Sequence, residues 1–179
     1  SLRGTDIVLR TKNGDLLHTL FSIDIMDFGG DSWLLSSIVD ITERKRLEDA
    51  LRQSEQKWRR VFEFLPVGVS IVDGKDQVSD TNSTLVQILQ MTPEGILQGA
   101  YSHRRYFHPD LAPMLPNEFP SQRALNEGIV VRDAVIGIEK EDGELIWVNV
   151  SATPASLDGY AVAVTTDITA RKRVEDAVA

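Results

Sequence analysis

Up to about residue 39 the apolar residues come in short stretches separated by turn residues, and after Glu43 they recur at helical spacing. Residues 6–12, 16–26 and 33–39 read as strands, joined by Asn13-Gly14, whose residue types suit the positive φ of a tight hairpin turn, and by Gly29-Gly30-Asp31. Beyond them Leu47, Leu51, Ser54, Trp58, Val61 and Leu65 are spaced 4, 3, 4, 3 and 4 apart, a heptad seam on one side of a helix with charged residues around it. At about 1.5 Å per residue the seam is on the order of 27 Å long. Pro66, lacking a backbone donor, stops it. The pattern fits a dimer-forming coiled coil, and also an amphipathic helix lying on its own domain.

The rest of the chain alternates again. Strands are expected at 67–73 and 77–81 around Gly74-Lys75-Asp76, then a helix capped by Asn82 and running through Leu85, Ile88 and Leu89. Thr92-Pro93-Glu94 opens a second short helix and Gly99 closes it. Residues 101–114 are irregular, a helix through Gln122 and Leu125 ends at Gly128, and strands follow at 129–139, 144–152 and 160–166, turning at Asp142-Gly143 and Asp158-Gly159. Alternation in the middle strand sets Ile146, Val148 and Val150 inward and Trp147 outward. Val69, Ile71, Leu89, Ile96 and Ile136 are expected to share the interior, with His103, Arg105 and Tyr106 supplying polar contacts to a ligand; the alternative is a filled core with no cavity. The outward Trp147 needs cover, for which Trp58 or Phe62 is a candidate.

Part of this pattern occurs twice. Residues 40–50 and 167–177 agree at all but two of eleven positions, Glu43/Ala170 and Leu47/Val174. Upstream, Gly14 answers Gly143 at an offset of 129, whereas the Asp-Ile-Thr triplets are offset by 127, a two-residue difference assigned to a loop. The first copy has about forty residues before its triplet and is expected to be the end of a truncated unit in a longer polypeptide. Asp40 and Asp167 stand where strand becomes helix, placed to accept first-turn N–H groups. Arg44-Lys45-Arg46 and Arg171-Lys172-Arg173 put positive charge at a helix N-terminus, against the dipole. This points to carboxylate partners in the sheet or across a dimer, or to a merely solvated face.

Composition removes several functions. Nineteen Lys+Arg against 27 Asp+Glu give a net charge of −8, without the positive excess that binding nucleic acid or an anionic membrane requires. With no cysteine there is no disulfide, thiolate metal site, Cys nucleophile or cysteine-linked chromophore. No apolar run approaches the ~18 residues of a membrane span, and the start does not read as a signal peptide, so a cytoplasmic location is expected. No acid–base pair, metal set or phosphate loop stands out among the residues, so no catalytic residue and no metal ligand is assigned.

The order of Asp73-Gly74, Asn82, Leu89-Gln90-Met91-Thr92-Pro93-Glu94, His108-Pro109-Asp110, Asp142-Gly143 and the two Asp-Ile-Thr triplets resembles the PAS domains of bacterial and archaeal signalling proteins. The resemblance implies an α+β fold: a five-stranded antiparallel sheet with short helices on one face, often enclosing a small-molecule pocket. It implies the last three strands of an upstream PAS unit at 1–42, a linker helix at 43–65, a complete PAS domain at 66–169, and the start of an output helix at 170–179. It further implies that Asp40, Thr42, Arg44, Asp167, Thr169 and Arg171 transmit a signal to an effector in the same polypeptide, frequently a histidine kinase of a two-component system. The expected function is thus a non-enzymatic sensory module, homodimeric through the seam Leu47, Leu51, Trp58, Val61 and Leu65, with no cofactor required by the sequence. The alternatives are a structural dimerisation spacer without ligand and a haem- or flavin-binding redox sensor.

Overall fold

The computed structural model describes residues 2–75, 77–155 and 159–178; the expected turn residues Asp76 and Asp158 lie outside the described residues. The chain divides into two compact units, Ser1–Arg59 and Arg60–Ala179.

In the first unit β1 (Leu2–Arg10), β2 (Leu16–Phe28) and β3 (Asp31–Asp40) form an antiparallel sheet in that order. The first hairpin is wider than the tight turn expected between residues 12 and 16. The Thr11 amide donates to the Asp15 carbonyl at 2.8 Å, the Gly14 amide to the Thr11 carbonyl at 3.0 Å, and Gly14 has φ 94°, so β1 ends at Arg10. Leu16, Leu20, Leu34 and Ile38 are exposed on this sheet. Helix α1 (Thr42–Phe64) follows without a break. It stops at Phe64 because the residue before a proline is disfavoured in the helical region, which leaves Leu65 outside the helix. Leu47, Leu51, Trp58 and Val61 of the seam are exposed.

The second unit is a six-stranded antiparallel sheet in the order β5-β4-β9-β8-β7-β6. Its members are β4 (Gly68–Val72), β5 (Val78–Thr81), β6 (Tyr106–Phe107), β7 (Val131–Glu139), β8 (Leu145–Ala155) and β9 (Tyr160–Asp167). The five strands expected are present, and the two-residue β6, within the stretch expected to be irregular, adds an edge by pairing Tyr106 with Ile138 and Phe107 with Gly137. Between β5 and β7 lie α2 (Ser83–Leu89), α3 (Pro93–Leu97) and α4 (Pro120–Glu127), and α5 (Thr169–Val178) follows β9. Leu85, Leu89 and Ile96 from the helices pack with Ile136, Ile138 and Val148 from the sheet. At the end of α4, Gly128 takes φ 66°, the left-handed conformation that lets the chain leave a helix sharply.

Asn82 does more than cap. Its side chain is fully buried and satisfies both donors and both acceptor positions. Oδ1 accepts from the amides of Val69 at 2.8 Å and Leu85 at 3.1 Å, while Nδ2 donates to the carbonyls of Phe62 at 3.0 Å and Val67 at 2.9 Å. One amide group thereby joins the end of α1, the start of β4 and the first turn of α2.

β2 and β3 have 13 and 10 residues, whereas β8 and β9 have 11 and 8; residues 156–158, in the connection between β8 and β9, lie outside the described residues.

Replacing Asn82 by Ala strands four backbone groups, at least some of them away from water, and is expected to destabilise the second unit by about 3 kcal/mol or more. A urea-unfolding midpoint within error of the unsubstituted protein would contradict this.

Candidate functional site

The helices and the inner face of the second sheet line a partly open cavity of about 120 Å³. Its walls are Ser70 and Val72 of β4, Leu85 and Leu89 of α2, Ile136 and Ile138 of β7, Val148 and Val150 of β8, and Ala163 and Thr165 of β9, closed at one end by Tyr101, Tyr106 and Phe119. Among the described residues no charged side chain lines it. The Tyr106 and Phe119 rings meet edge to face, 4.6 Å between centroids and 61° between planes. The Tyr106 hydroxyl donates to the Tyr101 carbonyl at 2.8 Å. Burial pushes the Tyr106 phenol well above its ordinary range, an effect that the Arg104 charge partly offsets.

Of the interior residues read from the sequence, Leu89, Tyr106, Ile136, Val148 and Val150 line the cavity, and Ile96 and Ile146 lie in the core cluster beside it. Val69 and Ile71 do not line it; Ser70 and Val72 do. In β4 Gly68, Val69 and Ser70 are all buried, so the strand carries no alternation from which its inner face can be read. His103 and Arg105 are exposed and stand in a separate surface groove with Glu139 and Lys140. Tyr101 and Phe119 were missed because they sit in segments without a regular period. His108 holds a loop, its backbone bonded to Ala112 and Leu111 and its ring Nε2 3.4 Å from Glu118 Oε2. Among the described residues no three His, Cys, Asp or Glu are grouped to hold a metal ion, and no helix is long and apolar enough to cross a membrane.

The strand-to-helix junctions share one geometry. Asp167 Oδ1 accepts from the Thr169 amide at 2.8 Å, and Asp40 Oδ1 from the Thr42 amide at 2.8 Å. Each threonine hydroxyl then reaches the neighbouring strand. The Trp147 amide donates to Thr169 Oγ1 at 3.0 Å, and the His18 amide to Thr42 Oγ1 at 2.9 Å. The Thr169 hydroxyl points back to the Trp147 carbonyl at 3.3 Å and that of Thr42 to the His18 carbonyl at 3.4 Å. These carbonyls also receive the amides of Ile168 and Ile41, both at 2.8 Å. Bonding to Thr42 holds the Asp40 carboxyl below its ordinary range.

The basic triplets meet carboxylates on the sheet side. Lys45 pairs with Asp6 of β1, lowering the Asp6 carboxyl pKa and raising that of the Lys45 ammonium. Arg173 reaches Glu144 at 2.8 Å. The Glu144 carboxyl is held below its ordinary range by Lys140 first and by Arg173 second. Arg44 and Arg171 pair along their own helices, with Glu48 at 2.7 Å and Glu175 at 3.5 Å. Lys172 lies 5.6 Å from the centroid of the Trp147 ring. Trp147 is buried, and its ring rests where a β-carbon on Gly137 would stand 3.2 Å from two of its atoms. Trp147 thus faces away from the cavity, as the alternation predicts, with α5 and Gly137 among its cover.

The second unit can be compared as a whole. A PAS domain of an HTR-like protein from Haloarcula marismortui superposes over 99% of its own length and 69% of this chain, with a TM-score of 0.52 at 18% identity. This is the PAS fold. A PAS domain of a protein from Colwellia psychrerythraea is also similar, covering 64% of this chain and 96% of its own at a TM-score of 0.48 and 15% identity. In sequence the chain is 25% identical to the sensor protein TdiS of Thauera aromatica over 211 aligned positions, 92% of this chain. The chain spans 38% of the length of that relative. No family model matches. In this unit of PAS fold, β8 carries the cavity residues Val148 and Val150 and the Trp147 backbone that holds α5.

Thr169→Val keeps the shape of the side chain and removes its oxygen, leaving the Trp147 amide without this acceptor at a cost of about 1–3 kcal/mol. Hydrogen exchange at the Trp147 amide is expected to quicken roughly tenfold or more, the exchange equivalent of that cost. Unchanged exchange would show that the hydroxyl does not hold the junction.

Proposed function

We propose that residues 60–179 form a non-catalytic sensory module. It takes a small molecule into the cavity and passes the resulting displacement of β8 and β9 to α5, and from there to an effector in the same polypeptide, a histidine kinase being the effector that the resemblance implies. The observation that carries the reading is continuity along β8: Val148 and Val150 line the cavity, and the adjacent Trp147 backbone is bonded to Thr169 of α5. A ligand that parts the walls acts on the residue next to the junction. The volume of about 120 Å³ favours a compact ligand over haem or flavin, since drug-sized ligands occupy pockets of roughly 300–1,000 Å³. Apolar cavities of about 150 Å³ accept benzene.

Benzene is therefore the probe. It is expected to bind the intact chain and to alter amide exchange in α5. Ala163→Leu, which fills the cavity, is expected to abolish both effects. Binding that leaves α5 unchanged would refute transmission, and failure to bind would refute the cavity as a ligand site.

The seam on α1 supports a homodimer in which Leu47, Leu51 and Val61, which are 65%, 61% and 56% exposed, pack against a second copy. Sedimentation velocity is expected to show a dimer that Leu51→Glu converts to monomer. A monomer for the unsubstituted chain at tens of micromolar would rule this arrangement out.

A further inference from the structure

The end of the cavity closed by Tyr101, Tyr106 and Phe119 is not the end of the space. The same three side chains line a second, outer cleft of about 280 Å³. They are therefore a partition between two chambers of opposite character. Among the described residues the inner chamber has no charged side chain in its wall, whereas the outer contains Arg104 and Arg105 and no carboxylate.

The two arginines differ in what already satisfies them. Arg105 is exposed and stands 3.1 Å from Glu139, which lies in the neighbouring surface groove and not in the wall of the cleft. It also stacks over the Phe107 ring at 5.2 Å. Arg104 is partly buried. One terminal nitrogen donates to the Leu89 carbonyl at 2.5 Å, but its Nε is buried and meets no acceptor among the described residues. A buried guanidinium N–H without an acceptor is costly to leave unmade, and guanidinium is the group best matched to the fork of a carboxylate. Leu89, whose carbonyl holds Arg104, is itself a wall of the inner chamber.

The partition has one fixed side. Tyr106 is held by its ladder pairing with Ile138 and by its hydroxyl bond to the Tyr101 carbonyl. The Phe119 side chain has no hydrogen-bonding group, so its ring is the side of the partition whose rotation a joined site requires.

We propose that the two chambers form one site for an amphipathic monocarboxylate, its apolar body in the inner cavity and its carboxylate on Arg104 in the outer cleft. This rests on the reading of the inner cavity as a ligand site and adds the chemical class of the ligand. In a chain of net charge −8, a cleft whose described wall holds arginines and no carboxylate favours an anion there over the chain's average surface.

Titration calorimetry on the intact chain with 3-phenylpropanoate and its neutral amide tests the assignment. The acid is expected to bind roughly tenfold or more tightly than the amide, the effect of a charge-assisted hydrogen bond. Arg104→Met is expected to abolish that preference by weakening the acid alone, while Arg105→Gln largely preserves it. Equal affinity for acid and amide in the unsubstituted protein would overturn the carboxylate assignment, whether or not Arg104→Met folds. Binding of benzene but of neither larger probe would overturn the joined site and leave the inner cavity standing. Binding of none of the three would overturn both.

Discussion

A threonine hydroxyl placed between a strand and a helix is the interaction on which this architecture turns. In each unit the backbone must pass from extended to helical geometry within three residues, where first-turn amides have no partner in the helix. The aspartate accepts one of them, and the threonine two residues later ties the helix to the neighbouring strand. The helix thus starts at a fixed point on the sheet, anchored to the backbone of His18 or Trp147. Because the anchoring bonds are to main chain, that side chain is left to set its own surroundings: a half-buried imidazole in one unit and a buried indole in the other.

The cavity and the junction share a strand. β8 turns Val148 and Val150 to one face and Trp147 to the other, so the wall of the chamber and the anchor of α5 are consecutive residues. Between them the strand offers little slack, since ladder bonds to β7 and β9 hold it on both sides. Polar contacts reinforce the link from the other direction. Lys140, almost fully buried, bonds Gln90 at the end of α2 at 3.0 Å and pairs with Glu144, which also holds Arg173 of α5.

Much of this was legible in the residues. The duplicated Asp-Ile-Thr marked both junctions, and the change from alternation to heptad spacing marked α1. Asn82 and Thr92 announced their helices because capping needs specific side chains at specific places. What could not be read is equally specific. β4 is buried on both faces, so Val69 and Ser70 are indistinguishable by pattern, and the inner face was assigned one residue out of phase. The span from Tyr101 to Phe119 has no period, and its aromatic partition exists only through tertiary contact. His103 and Arg105 were placed near a ligand by residue type; neither lines the inner chamber, and Arg105 borders the outer cleft together with Arg104, which residue type alone did not single out.

The strand β6 is attached to the sheet by only two residue pairs. The segment after it, up to Phe119, contributes the closing ring of the inner chamber but no wall strand and no part of either junction. Substitutions in that segment can therefore reshape the closed end of the chamber while leaving untouched the bonds by which β8 holds α5.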